Sequence, residues 1–348
     1  MTGIFGAAGS DLRERIGSLA QVVRVDSFVE VEGMSRGARR IRLVNGGGIE
    51  LEVHPDRALD IGRLTIDGIP VSWIWANGIT APHFYEPGGK GWLRTFGGGL
   101  LATCGLDTVG APSEDEGQML GQHGRIGALS AQIVRSEATE DEVVVEGVIR
   151  QANLFEENLV LRRRISSAAG SGTVLVADTV TNEGFAEAPH MVLYHCNLGW
   201  PLLDSDSRVE ISSTSVEPRD TDAASGLDDW GRVGLPVPGF REQVFRHGFG
   251  DRGPASARIV NPVLGLEFTL TFPSDVLPTL YRWTMVGQGA YVLGLEPSNC
   301  SNVFGRAAAR SARELPLLQP GESVNYRLEF RVRRLDTTTA AASERNAA

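Results

Sequence analysis

The 348-residue chain is 42% apolar, with 42 glycines, 7% aromatic residues and a net charge of −10. This acidic balance argues against nucleic acid as a partner, because a phosphate-binding surface needs clustered lysine and arginine. No run approaches the roughly 18 apolar residues of a membrane helix, and the N-terminus lacks the basic and apolar segments of a signal peptide, so we expect a cytoplasmic protein without a membrane partner. The three cysteines, Cys104, Cys196 and Cys300, are widely spaced, which predicts neither a disulfide framework nor a zinc motif.

The first predicted element is a short helix near the N-terminus. Ser10 and Asp11 are residue types that cap helices, and apolar residues recur on one face from Leu12 to Leu19. We therefore predict an N-terminal helical segment over 1–22.

Nearly everything after this helix has the pattern of short strands. Segments 40–44 and 49–53 flank a run of Asn and Gly that is typical of a hairpin turn. An Asp-Gly pair separates 64–66 from 69–71 in the same way. Short alternating strands joined by Gly, Pro, Asn and Asp turns predict an all-β fold of stacked antiparallel sheets. The other predicted strands are 142–149, 158–165, 173–179, 190–195, 256–260, 264–271, 281–286, 291–295 and 323–332.

Two long stretches, 75–121 and 203–240, do not fit the strand pattern. Both are rich in Gly, Pro and Asp and are far longer than ordinary connections, which favours loops that carry or cover a functional site. No repeat or linker divides the chain. We therefore predict one domain over 23–336, followed by a small, polar, disordered tail over 337–348.

Two candidate catalytic side chains stand where apolar strands are predicted to end. His195 follows one apolar run, and Glu296 closes another directly before Pro297. Strand ends present side chains to pockets, and a partly desolvated carboxylate has a pKa raised toward that of a working general base. On the pattern alone two alternatives stay open, a core histidine satisfied by backbone groups and a surface carboxylate at a strand end.

A second group of candidates lies in glycine-rich segments. His123 is held between two glycines, which let the backbone approach a ligand closely. It is a candidate site residue together with its neighbours Gln122 and Arg125, although an ordinary surface-loop histidine is the alternative. Arg94 lies among aromatic residues and glycines, a setting that suits the binding of sugar hydroxyls.

Three further candidates have weaker signals. Arg57 and Asp60 stand beside a predicted turn, where they could contact substrate or form a structural ion pair. Trp283 follows Arg282 on one predicted strand, so only one of the two side chains can face a given pocket.

The order of these segments resembles the aldose 1-epimerase (galactose mutarotase-like) superfamily: a glycine-rich arginine segment, a His-Gly pair, a histidine after an apolar strand, and a late Glu-Pro pair. The similarity spans about 40–333, and segment 96–106 resembles a divergent branch of that superfamily. Arg125 stands where the family has a second glycine. Cys196 and Asn197 stand where it has an aromatic dipeptide.

The resemblance implies a β-supersandwich fold and a sugar mutarotase, which interconverts the anomers of a free sugar or sugar derivative without a cofactor. It implies that Glu296 is the base that removes the proton of the C1 hydroxyl and that His195 is the acid that protonates the ring oxygen. It also implies that His123 and Arg94 bind ring hydroxyls of a small carbohydrate.

Two other functions stay open at this point. His123, His195 and Glu296 also form a two-histidine, one-carboxylate set that could hold a metal ion for sugar isomerase or lyase chemistry. A carbohydrate-binding protein without catalysis is the other alternative, because a fold does not determine a function. Metal analysis separates the mutarotase from the metal-dependent enzyme, and a turnover assay separates both enzymes from the binding protein.

Overall fold

The chain folds almost entirely into antiparallel sheets. The computed structural model describes residues 4–250 and 253–335, so the tail predicted over 337–348 lies outside the described residues. The strands of the described part form an eight-stranded, a six-stranded and a five-stranded sheet, and two sheets of two strands. They are β1 (Arg24–Val29), β2 (Arg39–Val44), β3 (Ile49–His54), β4 (Asp60–Ile66), β5 (Ile69–Pro70), β6 (Ala102–Leu106), β7 (Ser113–Asp115), β8 (Gln118–Leu120), β9 (Gln132–Ala138), β10 (Glu142–Ala152), β11 (Asn158–Ala168), β12 (Thr173–Asn182), β13 (Ala188–Pro189), β14 (Met191–Gly199), β15 (Arg208–Ile211), β16 (Ser215–Pro218), β17 (Gln243–Gly248), β18 (Pro254–Asn261), β19 (Leu266–Pro273), β20 (Thr279–Gly287), β21 (Ala290–Ser298), β22 (Leu317–Leu318) and β23 (Ser323–Arg334).

The three large sheets have different connectivity. The five-stranded sheet follows chain order from β1 to β5. The eight-stranded sheet has the order β15-β18-β19-β23-β12-β11-β10-β9, and the six-stranded sheet has the order β16-β17-β20-β21-β14-β6. Strands β14 and β21 are therefore interior strands of the six-stranded sheet, and every residue of β14 is buried. An interior strand that is covered on both faces is apolar along its whole length rather than alternating.

The eight-stranded and six-stranded sheets meet face to face. Tyr194 on β14 donates a hydrogen bond of 2.9 Å to Asp178 on β12, and its ring lies 5.9 Å from the ring of Tyr326 on β23. Successive side chains of a strand point to opposite faces. Since Tyr194 points toward the eight-stranded sheet, His195 points to the other face of the six-stranded sheet.

A buried ion-pair network ties this interface together. The side chain of Arg163 on β11 is fully buried, and its guanidinium contacts Asp178 at 2.6 Å and Asp60 on β4 at 3.1 Å. Buried charges need such partners because desolvation of an isolated ion is costly. Asp60 also accepts hydrogen bonds from the backbone and hydroxyl of Thr103. Arg163 and its partners thus join three sheets.

The N-terminal helix is much shorter than predicted. Helix α1 covers only Gly9–Arg13 and has no side-chain cap. Asp11 lies inside it and pairs with Arg15, while Leu19 begins a separate 3-10 turn. Glycine is a poor helix former, and Gly17 interrupts the segment. The remaining helices are α2 (Trp92–Thr95), α3 (Thr221–Ala224) and α4 (Arg306–Ser311), with 3-10 turns at Leu19–Gln21, Gly33–Ser35, Pro82–Phe84, Ile126–Ala128 and Leu227–Asp229.

The predicted all-β architecture is confirmed, and the two long stretches prove to be partly ordered into strands. Strands β6, β7 and β8 lie within 75–121, and β15 and β16 lie within 203–240. None of the helices formed by the described residues is both long and apolar enough to span a bilayer.

Candidate functional site

Two neighbouring interior strands place His195 beside Glu296. The antiparallel register of β14 and β21 pairs Leu193 with Ser298 and Cys196 with Leu295, so His195 falls opposite Glu296. The His195 Nε2 and Glu296 Oε1 atoms lie 3.2 Å apart. Both residues lie inside their strands, not at the strand ends that the sequence predicted, because the buried residues after each of them continue the pairing.

The pair lies on the floor of a cavity of about 570 Å³, within the range of roughly 300–1,000 Å³ that is common for small-molecule sites. Its walls are rich in aromatic side chains, which offer flat apolar faces and, in tryptophan, a polar edge. The aromatic residues of the lining are Trp73, Trp75, Trp92, Phe96, Trp283 and Phe304.

Burial shifts the protonation of His195 toward the neutral form. Its ring lies 5.0 Å from the ring of Phe96 and 5.4 Å from the ring of Trp283, between ring centroids. Burial lowers the pKa of His195 to about 3, and His123 adds to the decrease. Its Nδ1 atom has no hydrogen-bond partner among the described residues. Burial among these rings therefore favours the neutral imidazole.

The carboxyl group of Glu296 is shifted in the complementary direction. Burial raises the pKa of Glu296 well above its usual range, Glu242 raises it further, and Arg219 opposes the increase. Desolvation disfavours the charged form of either group. Both shifts favour the neutral forms, a protonated carboxyl group with its Oε1 atom 3.2 Å from the Nε2 atom of a neutral imidazole.

His123 reaches the same cavity from a loop between β8 and β9. Its backbone has a φ of 58°, and the following Gly124 lies so close to Gly105 that a Cβ atom would meet the Gly105 carbonyl oxygen at 2.4 Å. The His123 ring lies 4.6 Å from the ring of Trp92. Its Nδ1 accepts a hydrogen bond of 3.4 Å from the backbone of Gly110. Burial lowers the pKa of His123 to about 4, so its Nε2 carries the remaining hydrogen and can donate it.

Two other predicted residues also line this cavity. Gln122 contributes a side-chain oxygen that is buried and has no hydrogen-bond partner among the described residues. Trp283 donates its Nε1 hydrogen to Glu242 at 2.9 Å, while its neighbour Arg282 is buried on the other face. The sequence thus identified five residues that the fold brings together: His195, Glu296, His123, Gln122 and Trp283.

Arg94 does not lie in the cavity, which corrects the sequence expectation. Its side chain is 74% exposed and forms an ion pair of 2.8 Å with Glu86. Residues two apart on a helix point to nearly opposite sides. Because Trp92 of α2 faces the cavity and is buried, Arg94 faces solvent.

Arg57, Asp60 and Arg125 are also outside the cavity. Asp60 belongs to the buried network of Arg163, and Arg57 lies beside it behind the aromatic wall, where it contacts a backbone oxygen at 3.4 Å. Arg125 turns away from the site and forms an ion pair of 3.0 Å with Glu157. Asp60 and Arg125 thus contact protein groups, and the buried Nη1 atom of Arg57 has no hydrogen-bond partner among the described residues.

Three charged residues line the cavity that the sequence did not single out. Arg219 follows β16, and Glu242 precedes β17; their side chains pair at 3.0 Å. Lys90 comes from the loop before α2. No local motif marks these residues, because β16 and β17 become neighbours only through their pairing in the sheet. The one signal in the sequence was that Lys90 is the single lysine of the chain.

The described residues were also compared with the metal-binding alternative for His123, His195 and Glu296. Among residues 4–250 and 253–335, no group of three or more His, Cys, Asp or Glu side chains is placed to hold a metal ion. His123, His195 and Glu296 share the cavity, but the two imidazole rings are 6.0 Å apart between centroids.

The family of this chain follows from its match over most of its length. The family described as Domain of unknown function (DUF4432) matches residues 35–332. The chain belongs to this family. Comparison with curated proteins gave no match.

The fold of this DUF4432 member is that of the galactose mutarotases. A Klebsiella pneumoniae protein, provisionally assigned as an aldose 1-epimerase, is 24% identical with a TM-score of 0.85, over 92% of this chain and 86% of its own. A galactose mutarotase-like protein from Clostridium acetobutylicum is 16% identical with a TM-score of 0.68, over 90% of this chain and 100% of its own. A galactose 1-epimerase from Lactobacillus acidophilus is 12% identical with a TM-score of 0.59, over 90% of this chain and 100% of its own. These likenesses confirm the predicted galactose mutarotase-like fold of a divergent branch.

Proposed function

We propose that this protein is a sugar mutarotase, an isomerase that interconverts the anomers of a small aldose or aldose derivative. The observation that carries the proposal is the contact of 3.2 Å between His195 Nε2 and Glu296 Oε1 on the floor of an aromatic cavity. Anomer exchange needs one group that accepts a proton and one that donates a proton, both close to the same two sugar oxygens.

The reaction is balanced with the single proton of this pair. The base removes the proton of the C1 hydroxyl while the acid protonates the ring oxygen, the bond between C1 and the ring oxygen breaks, and C1 becomes an aldehyde. Rotation about the C1–C2 bond and the reverse proton transfers close the ring with the other configuration. Glu296 is the base and His195 the acid once the proton has passed from the carboxyl group to the imidazole.

The surrounding side chains position the sugar for these transfers. The ring of Trp283, which lines the cavity, can stack against the apolar side of a pyranose ring. His123 Nε2 and the unpartnered oxygen of Gln122 line the same cavity and would bind hydroxyl groups of the sugar. Correct orientation lowers the barrier in addition to the acid–base effect.

Exchange NMR tests the proposal directly. The anomer exchange rates of a panel of aldoses, uronates, deoxy sugars and sugar phosphates are measured with and without enzyme at one pH. We expect acceleration of at least one class by the wild-type protein and loss of that acceleration in Glu296→Gln. A panel with no accelerated sugar would remove the mutarotase function and leave the fold assignment unchanged.

A further inference from the structure

Lysine is used once in this chain, and the position lies in the cavity. The 33 basic residues are 32 arginines and one lysine, Lys90. Among the described residues, only two of the basic residues line the cavity, Lys90 and Arg219. All the remaining basic positions are arginine, and the one lysine side chain lies in the same cavity as His195 and Glu296. Lysine and arginine differ chemically, since an ammonium is a compact point charge on a flexible stem.

The backbone at Lys90 is fixed, so its location in the lining is well defined. Leu93 donates a backbone hydrogen bond of 3.1 Å to the carbonyl of Lys90. Gln122 donates one of 2.9 Å to the carbonyl of Gly89. A Cβ atom on Gly121 would lie 2.2 Å from the Pro87 oxygen, which shows how closely the two loops pack. The Lys90 loop is therefore joined to the loop that carries Gln122 and His123.

The side chain of Lys90, by contrast, has no counterion. Within 4–250 and 253–335 it forms neither an ion pair nor a side-chain hydrogen bond, and it is exposed to the cavity opening. Arg219 is neutralised by Asp220 at 2.8 Å and by Glu242 at 3.0 Å. Glu242 contacts Arg219 and Trp283, and neither it nor Glu296, the other carboxyl group of the lining, forms an ion pair with Lys90 among the described residues. The cavity thus has an unpaired positive charge in a chain whose net charge is −10.

From this arrangement we infer that the sugar substrate carries an anionic oxygen group, a carboxylate or a phosphate ester, and that Lys90 binds it. This inference rests on the proposed mutarotase function and specifies its substrate class. An ammonium group donates up to three charge-assisted hydrogen bonds, which are shorter and stronger than neutral ones. A neutral hexose would leave the Lys90 charge unpaired, so discrimination between anionic and neutral sugars resides at this position.

Matched sugars and matched variants test the assignment by turnover. The values of kcat/KM for anomer exchange are measured for glucose, glucuronate and glucose 6-phosphate, and for galactose with its uronate and 6-phosphate. The uronate and phosphate arms distinguish the two anionic groups. We expect the wild type to prefer one anionic sugar over its neutral parent, and Lys90→Gln to reduce that ratio at least about tenfold.

Two control variants sharpen the comparison. Lys90→Arg keeps the charge and should retain most of the preference. Arg94→Gln removes a positive charge only four residues away, but from the outer surface, and should leave the ratio unchanged. Added NaCl should lower kcat/KM for the anionic sugar in the wild type more than in Lys90→Gln, because salt screens the interaction. An equal loss on neutral and anionic sugars in Lys90→Gln would overturn the assignment.

The single lysine also permits a binding measurement that does not depend on catalysis. Reductive methylation with ¹³C-formaldehyde labels Lys90 and the N-terminal amine, so that the N-terminal signal serves as an internal control. Glucuronate and glucose 6-phosphate are titrated into labelled Glu296→Gln protein, with glucose as the neutral reference. We expect only an anionic sugar to shift the Lys90 methyl resonance.

The two readouts separate this inference from the proposed function. Turnover of neutral sugars without any effect of anionic sugars on the Lys90 resonance would refute the inference and retain the mutarotase. A shifted Lys90 resonance in a protein that accelerates no sugar would retain the anionic ligand and refute the mutarotase.

Discussion

His195 lies opposite Glu296 on the adjacent strand, and the imidazole Nε2 is 3.2 Å from the carboxyl Oε1. His195 Nδ1 has no hydrogen-bond partner among the described residues, and the contact of Glu296 Oε1 with Nε2 lacks hydrogen-bond geometry. Unpartnered buried polar atoms are costly, so a site that retains them is preorganised for a ligand that supplies the missing bonds. Sugar hydroxyls are both donors and acceptors and match this requirement.

Glu296→Gln should remove the proton acceptor and donor function of the carboxyl group with little change in volume. We expect turnover to fall by about 10²-fold or more, while sugar binding stays within a few-fold of the wild type. His195→Asn should produce a similar loss. The double variant should lose little more than either single variant, because the two groups act as one relay.

The control for this series is Glu114→Gln, an exposed strand carboxylate outside the cavity. Its turnover and melting temperature should match the wild type, since surface substitutions usually change stability by less than about 0.5 kcal/mol. Normal turnover in Glu296→Gln would remove Glu296 from the mechanism and leave it as a structural carboxyl group.

The pH dependence of kcat/KM should reflect the opposite shifts of the pair. The lowered pKa of His195, about 3, means that the second proton binds only in strong acid. The raised pKa of Glu296 means that the single proton is lost only above the usual carboxyl range. Measured per folded molecule, kcat/KM should therefore persist at pH 5, where a histidine of ordinary pKa near 6.5 would be mostly protonated. An acidic limb centred near pH 6.5 would contradict the one-proton pair.

His195 and Glu296 were accessible as candidates from sequence because each stands beside an apolar run that predicts a strand. Such strands are predicted by composition, and a polar residue at the predicted end of an apolar run is conspicuous. The exact end of each strand was not predictable, since residues such as Cys196 and Leu198 are buried on both sides of an interior strand and give no periodic signal.

The rest of the lining depended on tertiary pairing. Arg219 and Glu242 are 23 residues apart and meet across the pairing of β16 with β17. Arg94 was assigned to substrate from its glycine-rich context, but the direction of a side chain on α2 depends on the helix phase, which buries Trp92 instead. Composition thus predicted the segment that lines the cavity, but the helix phase determines which side chain of that segment points into it.

Arg219 rather than Arg94 should affect sugar binding. Arg219→Met removes a cation of the lining and frees Glu242, so we expect KM to rise at least several-fold. Because Arg219 opposes the increase in the pKa of Glu296, the alkaline limb of the pH profile should also move to higher pH. Arg94→Met breaks only an exposed ion pair with Glu86 and should change neither quantity. Steady-state kinetics over a pH series measures both effects.

Acid should destabilise the fold through its histidines. Burial lowers the pKa of five of the six: to about 3 for His54, His195 and His247, and to about 4 for His123 and His190. The unfolded chain binds protons at these groups near pH 6.5, whereas the folded chain does not. Stability is therefore present above pH 6.5 and is lost as the pH falls from there toward the folded pKa values.

The magnitude makes this loss easy to detect. At pH 5 each such histidine favours the unfolded state by about 2 kcal/mol, so that the five together approach the whole stability of about 5–15 kcal/mol of a typical domain. Asp60 and Glu296, whose pKa values are raised by burial, offset part of this. Urea titrations from pH 7 to pH 5 should show a steep decrease in the free energy of unfolding. His190→Gln should reduce the slope by about 1.4 kcal/mol per pH unit. A free energy of unfolding that stays constant from pH 7 to pH 5 would show that these histidines titrate alike in the folded and unfolded chain.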